Sequence, residues 1–450
     1  MPGIDASGLL RVPDQTPNKG KNLDHLRRTN LSLVLGLVHR HGQLSRAELT
    51  RELGLNRSTI AALVSELVDR GLVIESLPES TKQVGRPSLV ITTNPAITAI
   101  TVKPDVDAMT IGVVTLGGRV LRRIRYDNVR LPSAREVVNV VTAIVEGMTA
   151  SSAGGYQILG VGMAVPGLVR ASDGMVGLAP HLAWRDEPVS RRLAESTGYE
   201  VFAANDATCG AIAEYTFGAG RGATDMIFLN GGASGIGGGI IVDGALLSGV
   251  HGFAGELGHT LVNSAGSECH CGSSGCLETE VRRAPLLELL GLDDPSSHLL
   301  DERLHDHLST APADDPVRVE VTRQAGYLLV ALRNAVNTFN TRRIVLGGFL
   351  GALHSACPEV FARLIGSGAM IGAEGGVEVV AAELGRNAPL VGAAELVFGP
   401  LLANPSSIGA AERRSSEVPD LSRSRHVPPV RGQAEADPSL RRIVGVAATA

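Results

Sequence analysis

A chain of 450 residues, 44% apolar but only 3% aromatic, has room for roughly two to four domains with aliphatic cores. Its net charge of −5 is uneven: Lys19 to Thr92 holds 11 Lys and Arg against 7 Asp and Glu, a local +4 that leaves −9 elsewhere, so only the N-terminal part suits a polyanion. The opening MPGIDASGLLRVPDQTPNKGKN is polar where a signal peptide is apolar, no apolar run spans a bilayer, and three of five Cys stand in metal spacing, so a cytoplasmic protein without disulfides or a membrane partner is expected.

Residues 1–22 lack periodicity and read as disordered, and 404–450, rich in Ser, Arg, Pro and Ala, reads the same way. Between these segments two domains are expected, at 23–93 and 94–403. In the first, Leu31, Val34, Leu35 and Val38 recur at helical spacing and predict a helix over 25–41. Ser45 caps a second helix that starts at Arg46 and stops before Gly54, and Asn56 caps a third from Arg57 to Arg70, ended by Gly71. Leu49, Leu53, Leu55, Ile60 and Leu63 take the buried positions of a helix-turn-helix. The β-prone runs 72–76 and 88–92, joined by LPESTKQVGRP, add a wing.

Such a domain reads double-stranded DNA with short polar and cationic groups on its recognition helix. Arg57, Ser58, Thr59 and Ser65 lie on the polar side of the third helix, and Arg86, in Gly85-Arg86-Pro87 at the wing, suits a narrow minor groove. The competing readings are a protein-binding winged helix for the domain and an ordinary basic turn for Arg86.

From about 95 to 400, Val- and Ile-rich runs (ITAITV, MTIGVV, YQILGVGMAV, EVFAA, DMIFLN, GGIIV, RIVLG, VEVVAA) alternate with amphipathic stretches at 133–151, 206–217 and 317–340, which predicts an α/β fold with substantial parallel sheet. Within it Asn205-Asp206 stands at a strand end entering a helix, as a helix cap or as a pair that binds hydroxyls. Farther on, His259, Cys269, Cys271 and Cys276 follow a His-x9-Cys-x-Cys-x4-Cys spacing. Three thiolates and an imidazole complete a closed tetrahedral site for a structural zinc ion (Zn2+), and Gly272 and Gly275 let the loop fold back. Three reduced thiols beside a Gly-rich turn are the alternative.

The pattern GxxGFAGELGH followed by CxCGxxGCLE resembles the ROK family of repressors, open reading frames and sugar kinases, and SRAELTRELGLNRSTIAALVSELVDRGLV with the later GRP resembles the N-terminal domain of its repressors. The resemblance covers roughly 23–400. It implies a winged helix-turn-helix followed by a two-lobed, actin-like sugar kinase fold with a sugar in the cleft, contacted by Asn205, Asp206, Glu256, His259 and Glu278. In the family's kinases the Asp matching Asp206 is the general base, and His259 would bind zinc through one nitrogen and sugar through the other. His181, in APHLAWRD, stands where the family usually has Asn; it is a ligand contact or a structural histidine.

ROK kinases open the first lobe with an Asp-x-Gly-Gly-Thr phosphate loop. Registered on Thr115 to Leu121, this chain has Lys103, Pro104, Asp105, Val106 and Asp107 there. The glycines are absent, two acidic groups would face phosphate, and Pro104 lacks an N–H. The glycines of 231–239 and Gly347-Gly348 remain, but tight strand-to-helix packing also uses them. The reading is a non-enzymatic, sugar-responsive repressor of carbohydrate-metabolism genes that binds operator DNA and a small sugar effector as a homodimer or higher homo-oligomer, since one winged helix reads a short half-site. The alternatives are an ATP-dependent ROK sugar kinase fused to a DNA-binding domain and a ligand-independent DNA binder with a relic pocket.

Overall fold

In the structure, a computed structural model that describes residues 21–77, 89–151, 155–292, 300–366 and 376–407, the second and third N-terminal helices start and stop at their caps. α1 (Lys21–His41) buries Leu31, Val34, Leu35 and Val38 along one stripe. α2 (Arg46–Leu53) opens on a capping box: Ser45 N–H donates to Glu48 Oε2 at 2.7 Å and Glu48 N–H donates to Ser45 Oγ at 3.2 Å. Asn56 Oδ1 accepts from Thr59 N–H at 2.8 Å to start α3 (Arg57–Asp69), which buries Ile60, Leu63, Val64 and Leu67.

Three strands complete this unit. β1 (Gln43–Ser45), too short to show alternation in sequence, joins β2 (Val73–Ser76) and β3 (Val90–Thr93) in the antiparallel order β1-β3-β2. The wing turn with Arg86 lies outside the described residues, as do 1–20 and 408–450. Where the expected unstructured segments meet the described chain they are ordered: α1 begins at Lys21, and Pro405–Ser407 forms a 3-10 turn against α1 with Pro405 buried.

Two sheets of one topology follow. β4 (Ile97–Pro104), β5 (Ala108–Thr115) and β6 (Val120–Asp127) form an antiparallel meander; after α4 (Ala134–Ser151), β7 (Gln157–Val165) pairs parallel to β4. A small antiparallel sheet of β8 (Leu168–Val169), β9 (Val176–Ala179) and β10 (Trp184–Glu187) then leads through α5 (Val189–Thr197) to β11 (Val201–Asn205), parallel to β7. α6 (Asp206–Phe217) crosses to the second sheet, where β12 (Met226–Gly232), β13 (Gly235–Val242) and β14 (Ala245–Leu246) repeat the meander. Helices α7 (Leu277–Glu280), α8 (Arg283–Leu289), α9 (Leu300–Thr310) and α10 (Pro316–Phe339) precede β15 (Arg343–Gly348), and α11 (Phe349–Ala356) and α12 (Pro358–Gly366) precede β16 (Glu378–Ala381); both strands add in parallel. Among the described strands the orders are β6-β5-β4-β7-β11 and β14-β13-β12-β15-β16, the same connectivity twice. Each sheet is therefore mixed, an antiparallel meander extended by two parallel pairings, in keeping with the substantial parallel sheet that periodicity predicts. β6 escaped the sequence reading because VLRRIRYD, an exposed edge strand, has no buried face to impose alternation.

α6 is not the amphipathic helix expected at 206–217. It lies against β7 and β11 on one side and β12 and β13 on the other, and Ala207 to Glu214 are all buried. The last helix, α13 (Ala388–Ala403), returns to the first lobe and packs on α6, β4 and β7. It also receives the winged unit: Leu31, Val34, Leu35 and Val38 of α1 share one hydrophobic cluster with Val391, Val397, Phe398 and Leu401.

A polar contact is buried in that seam. His39 is 1% exposed; its Nε2 lies 3.1 and 3.0 Å from the two carboxylate oxygens of Glu395, and its Nδ1 accepts from Gly117 N–H at 2.9 Å. The Gly117 donor selects the tautomer with the proton on Nε2, which then donates to Glu395. His39→Ala would strand a buried carboxylate, so a loss of about 2–4 kcal/mol in unfolding free energy is expected. Glu395→Gln, whose amide oxygen still accepts from Nε2, should lose less than half of that. Denaturant midpoints of the three proteins decide, and an unchanged His39→Ala midpoint would contradict the assignment.

Candidate functional site

The strand-to-helix junction β11–α6 places Asn205 and Asp206 at the floor of a cleft of about 410 Å³, within the range of small-ligand pockets. One wall comes from the first lobe (Lys103, Asp105, Gly167, His181) and the other from the second (Asn230, Gly235, Glu256, His259, His270, Glu278). Asn205 is a helix cap: its Oδ1 accepts from Ala207 N–H at 2.9 Å and Thr208 N–H at 3.1 Å, while Nδ2 donates to Gly167 O at 3.0 Å. Asp206, one residue on, has its carboxylate directed into the cleft at the positive end of α6.

The other wall is a loop laid against β13. Cys269, Cys271, Cys276 and His259 come together with their donor atoms all within 4.8 Å of one another, a set able to hold one metal ion. The loop turns at Gly272 and Gly275, whose φ of +89° and +71° would strain any other residue. Glu278 joins cluster to cleft: its Oε1 accepts from Cys269 Sγ at 3.2 Å and lies 3.5 Å from His259 Nδ1. Glu256 Oε2 stands 4.0 Å from the other ring nitrogen of His259. Burial, then the neighbouring charges of Glu278 and Asp206, raise the Glu256 carboxyl above the usual glutamate range. His181 faces the same space; burial, then His270, depress its pKa, so the ring stays neutral at pH 7 and can accept as well as donate.

Several cleft residues, Asp105 and Asn230 among them, were missed in the sequence as parts of this site, and two of them carry side-chain nitrogens that pair with its carboxylates. His270, treated as a spacer between two Cys, places Nδ1 3.1 Å from Glu278 Oε1, with the rings of His181 and His259 on either side at 5.3 and 5.2 Å. The other is Lys103. Its Nζ contacts Asp105 and lies 3.6 Å from Asp206 Oδ2. Burial opposes the charge on Lys103, but Asp206 and Asp105 outweigh it and raise the lysine pKa. The expectation of two acidic groups at this loop holds only for Asp105, since Asp107 turns away to pair with Arg125 at 2.9 Å. The glycines of the 231–239 turn have a packing reason: a Cβ on Gly237 or Gly239 would sit 2.7 or 2.5 Å from the methyl carbons of Ala207 and Ala211 on α6.

Away from the cleft, α3 exposes Arg57, Ser58 and Ser65, with Thr59 partly covered. Ser58 Oγ donates to Asn56 Oδ1 at 2.8 Å, so its lone pairs remain for a ligand. No described helix is long and apolar enough to cross a membrane.

Comparisons with known proteins agree with this layout. Residues 100–399 match the model of the ROK family and residues 32–82 that of the MarR family. The xylose repressor of Caldicellulosiruptor bescii is 27% identical over 84% of this chain and 98% of its own length. A crystal structure of a ROK family transcriptional regulator, a homolog of the E. coli MLC protein, superposes with a TM-score of 0.66 at 26% identity, covering 84% of this chain and 98% of that one. A ROK family glucokinase from Streptomyces griseus, in complex with glucose and AMPPNP, matches with a TM-score of 0.55 at 30% identity, over 66% of this chain and 98% of the kinase. With its family model spanning both lobes and a MarR-type winged helix ahead of them, the chain belongs to the ROK family.

Proposed function

We propose that this protein is a sugar-responsive transcriptional repressor: the winged unit binds operator DNA and the cleft binds a small sugar. The observation that carries the reading is the convergence of Asp206, Glu256, His259 and Glu278 on one cleft in a chain that also exposes Arg57, Ser58 and Ser65 on a helix-turn-helix. Carboxylates accept hydrogen bonds from adjacent sugar hydroxyls, while an arginine and short hydroxyls suit phosphates and base edges. Similarity to a xylose repressor and to a ROK transcriptional regulator over nearly their whole lengths supports it. Two copies are needed to read a full operator, so a homo-oligomer is part of the proposal.

The metal is proposed to be zinc. A tetrahedral zinc with Zn–S near 2.3 Å and Zn–N near 2.0 Å requires S···S edges of about 3.8 Å and S···N edges of about 3.5 Å. Two of the six edges have these lengths, the Cys271–Cys276 sulfurs at 3.7 Å and Cys269 Sγ to His259 Nδ1 at 3.6 Å, and all four donors lie within 4.8 Å of one another. Zinc bound by these four residues cross-links the loop and leaves His259 Nε2 for the cleft. One zinc per chain is expected on metal analysis, and Cys271→Ser should lose zinc and sugar binding together; a folded, metal-free wild type that still binds sugar would exclude the assignment.

Phosphoryl transfer is not part of the proposal, because the ammonium of Lys103 is held against Asp206, the position of a kinase base, where a phosphate loop would need glycines. Incubation with ATP and a panel of sugars should give no sugar phosphate, whereas turnover abolished by Asp206→Asn would make the protein a kinase.

The function is tested with an operator fragment selected from random duplexes by the purified protein. Arg57→Ala should weaken binding and, if it contacts phosphate, flatten the log affinity against log salt slope by about one unit, with sugar binding unchanged. Glu256→Ala should lose about 1–3 kcal/mol of sugar affinity and leave the operator complex insensitive to sugar at wild-type concentrations. If no sugar alters operator affinity in the wild type, the sensing role fails.

A further inference from the structure

Accepting that the cleft binds a sugar, its charge arrangement says what kind. We infer that Lys103 is an effector-site residue, held as a counter-ion between Asp105 and Asp206, and that this arrangement admits uncharged sugars and rejects their phosphate esters and acids. Lys103 is the only Lys or Arg among the described residues lining the cleft, and both of its carboxylate partners line it too. Its positive charge is therefore already matched and is not free for an anion. Glu256 and Glu278 face the same space from the opposite lobe.

The usual backbone anion site is closed as well. Helix N-termini bind phosphate through free N–H groups, but at α6 the N–H groups of Ala207 and Thr208 donate to Asn205 Oδ1 at 2.9 and 3.1 Å. A phosphate dianion entering here would meet the carboxyl groups of Asp105, Asp206, Glu256 and Glu278 against one ammonium that is already paired, whereas an uncharged sugar hydroxyl donates to Asp105 or Asp206 and accepts from Lys103 without adding charge. Removing the ammonium would leave two carboxylates in mutual repulsion, which is why Lys103 belongs to the recognition set.

The test uses the full-length, zinc-loaded protein in thermal melts and calorimetric titrations with glucose, N-acetylglucosamine, mannose and xylose, the hexoses each paired with the 6-phosphate, xylose with the 5-phosphate, and glucose also with glucuronate. At least one uncharged sugar should bind, with its charged counterpart roughly 100-fold weaker or undetectable. Lys103→Met should weaken the uncharged sugar by about tenfold or more, with Lys103→Arg recovering most of the loss. A phosphate ester bound as tightly as its parent overturns this inference and leaves sugar sensing intact. If nothing in the panel binds, sugar sensing falls and this inference with it. Should Lys103→Met fail to fold, the wild-type ratio and Lys103→Arg still decide, and a Lys103→Met protein with normal sugar affinity would place Lys103 outside the site.

Discussion

The placement of the DNA-reading helices depends on one imidazole. His39 sits where water is excluded, and Gly117 N–H on one ring nitrogen leaves the other to serve Glu395. A buried polar contact of this kind adds little net stability compared with apolar packing, but it tolerates few alternatives, because any sliding of α1 along α13 strands a carboxylate. The surrounding aliphatic cluster supplies adhesion without direction; His39 supplies direction. The winged unit is thus built onto the first lobe, although its helices occupy a separate stretch of sequence.

The far side of the same helix leads toward the cleft. α13 meets α6 without intervening side chains at Gly392, where a Cβ would lie 1.8 Å from Cys209 O, and α6 starts at Asp206. Contacts this close leave no slack to absorb a shift of α6. Operator affinity changes with ligand only if the ligand binds two arrangements of the lobes unequally, and α6, packed between the duplicated sheets, touches both lobes. Contiguous packing gives such a difference a route; coupling energies are what establish that it is used.

Cleft and metal cluster are similarly inseparable. Glu278 touches a cysteine, two histidines and the cleft at once, so the loop cannot rearrange without displacing acceptors from the pocket. The opposite wall carries Lys103, the one Lys or Arg among the described residues of the cleft, in a place where the family's kinases need conformational freedom and backbone N–H groups.

Much of this was legible in the sequence because its causes are local. A serine three residues before a glutamate makes a capping box wherever the chain folds, Asn56 and Gly54 act within one turn, and the Cys spacing brings the metal donors within reach of each other before any tertiary contact forms. The winged helix and the cleft residues Asp206, Glu256 and Glu278 were read from such signals and from motif. What sequence could not assign depends on partners distant in the chain. Lys103 and Asp206 are 103 positions apart and His39 and Glu395 are 356 apart, so neither pair leaves a periodicity or spacing to detect. α6 read as amphipathic because burial on every side depends on both sheets, and β6 was invisible because an exposed edge strand needs no alternation. The sequence by itself determined the caps, the winged helix-turn-helix, the His/Cys loop and the family; the tertiary structure decided which distant charges meet, because electrostatic pairing follows distance in space and not separation along the chain.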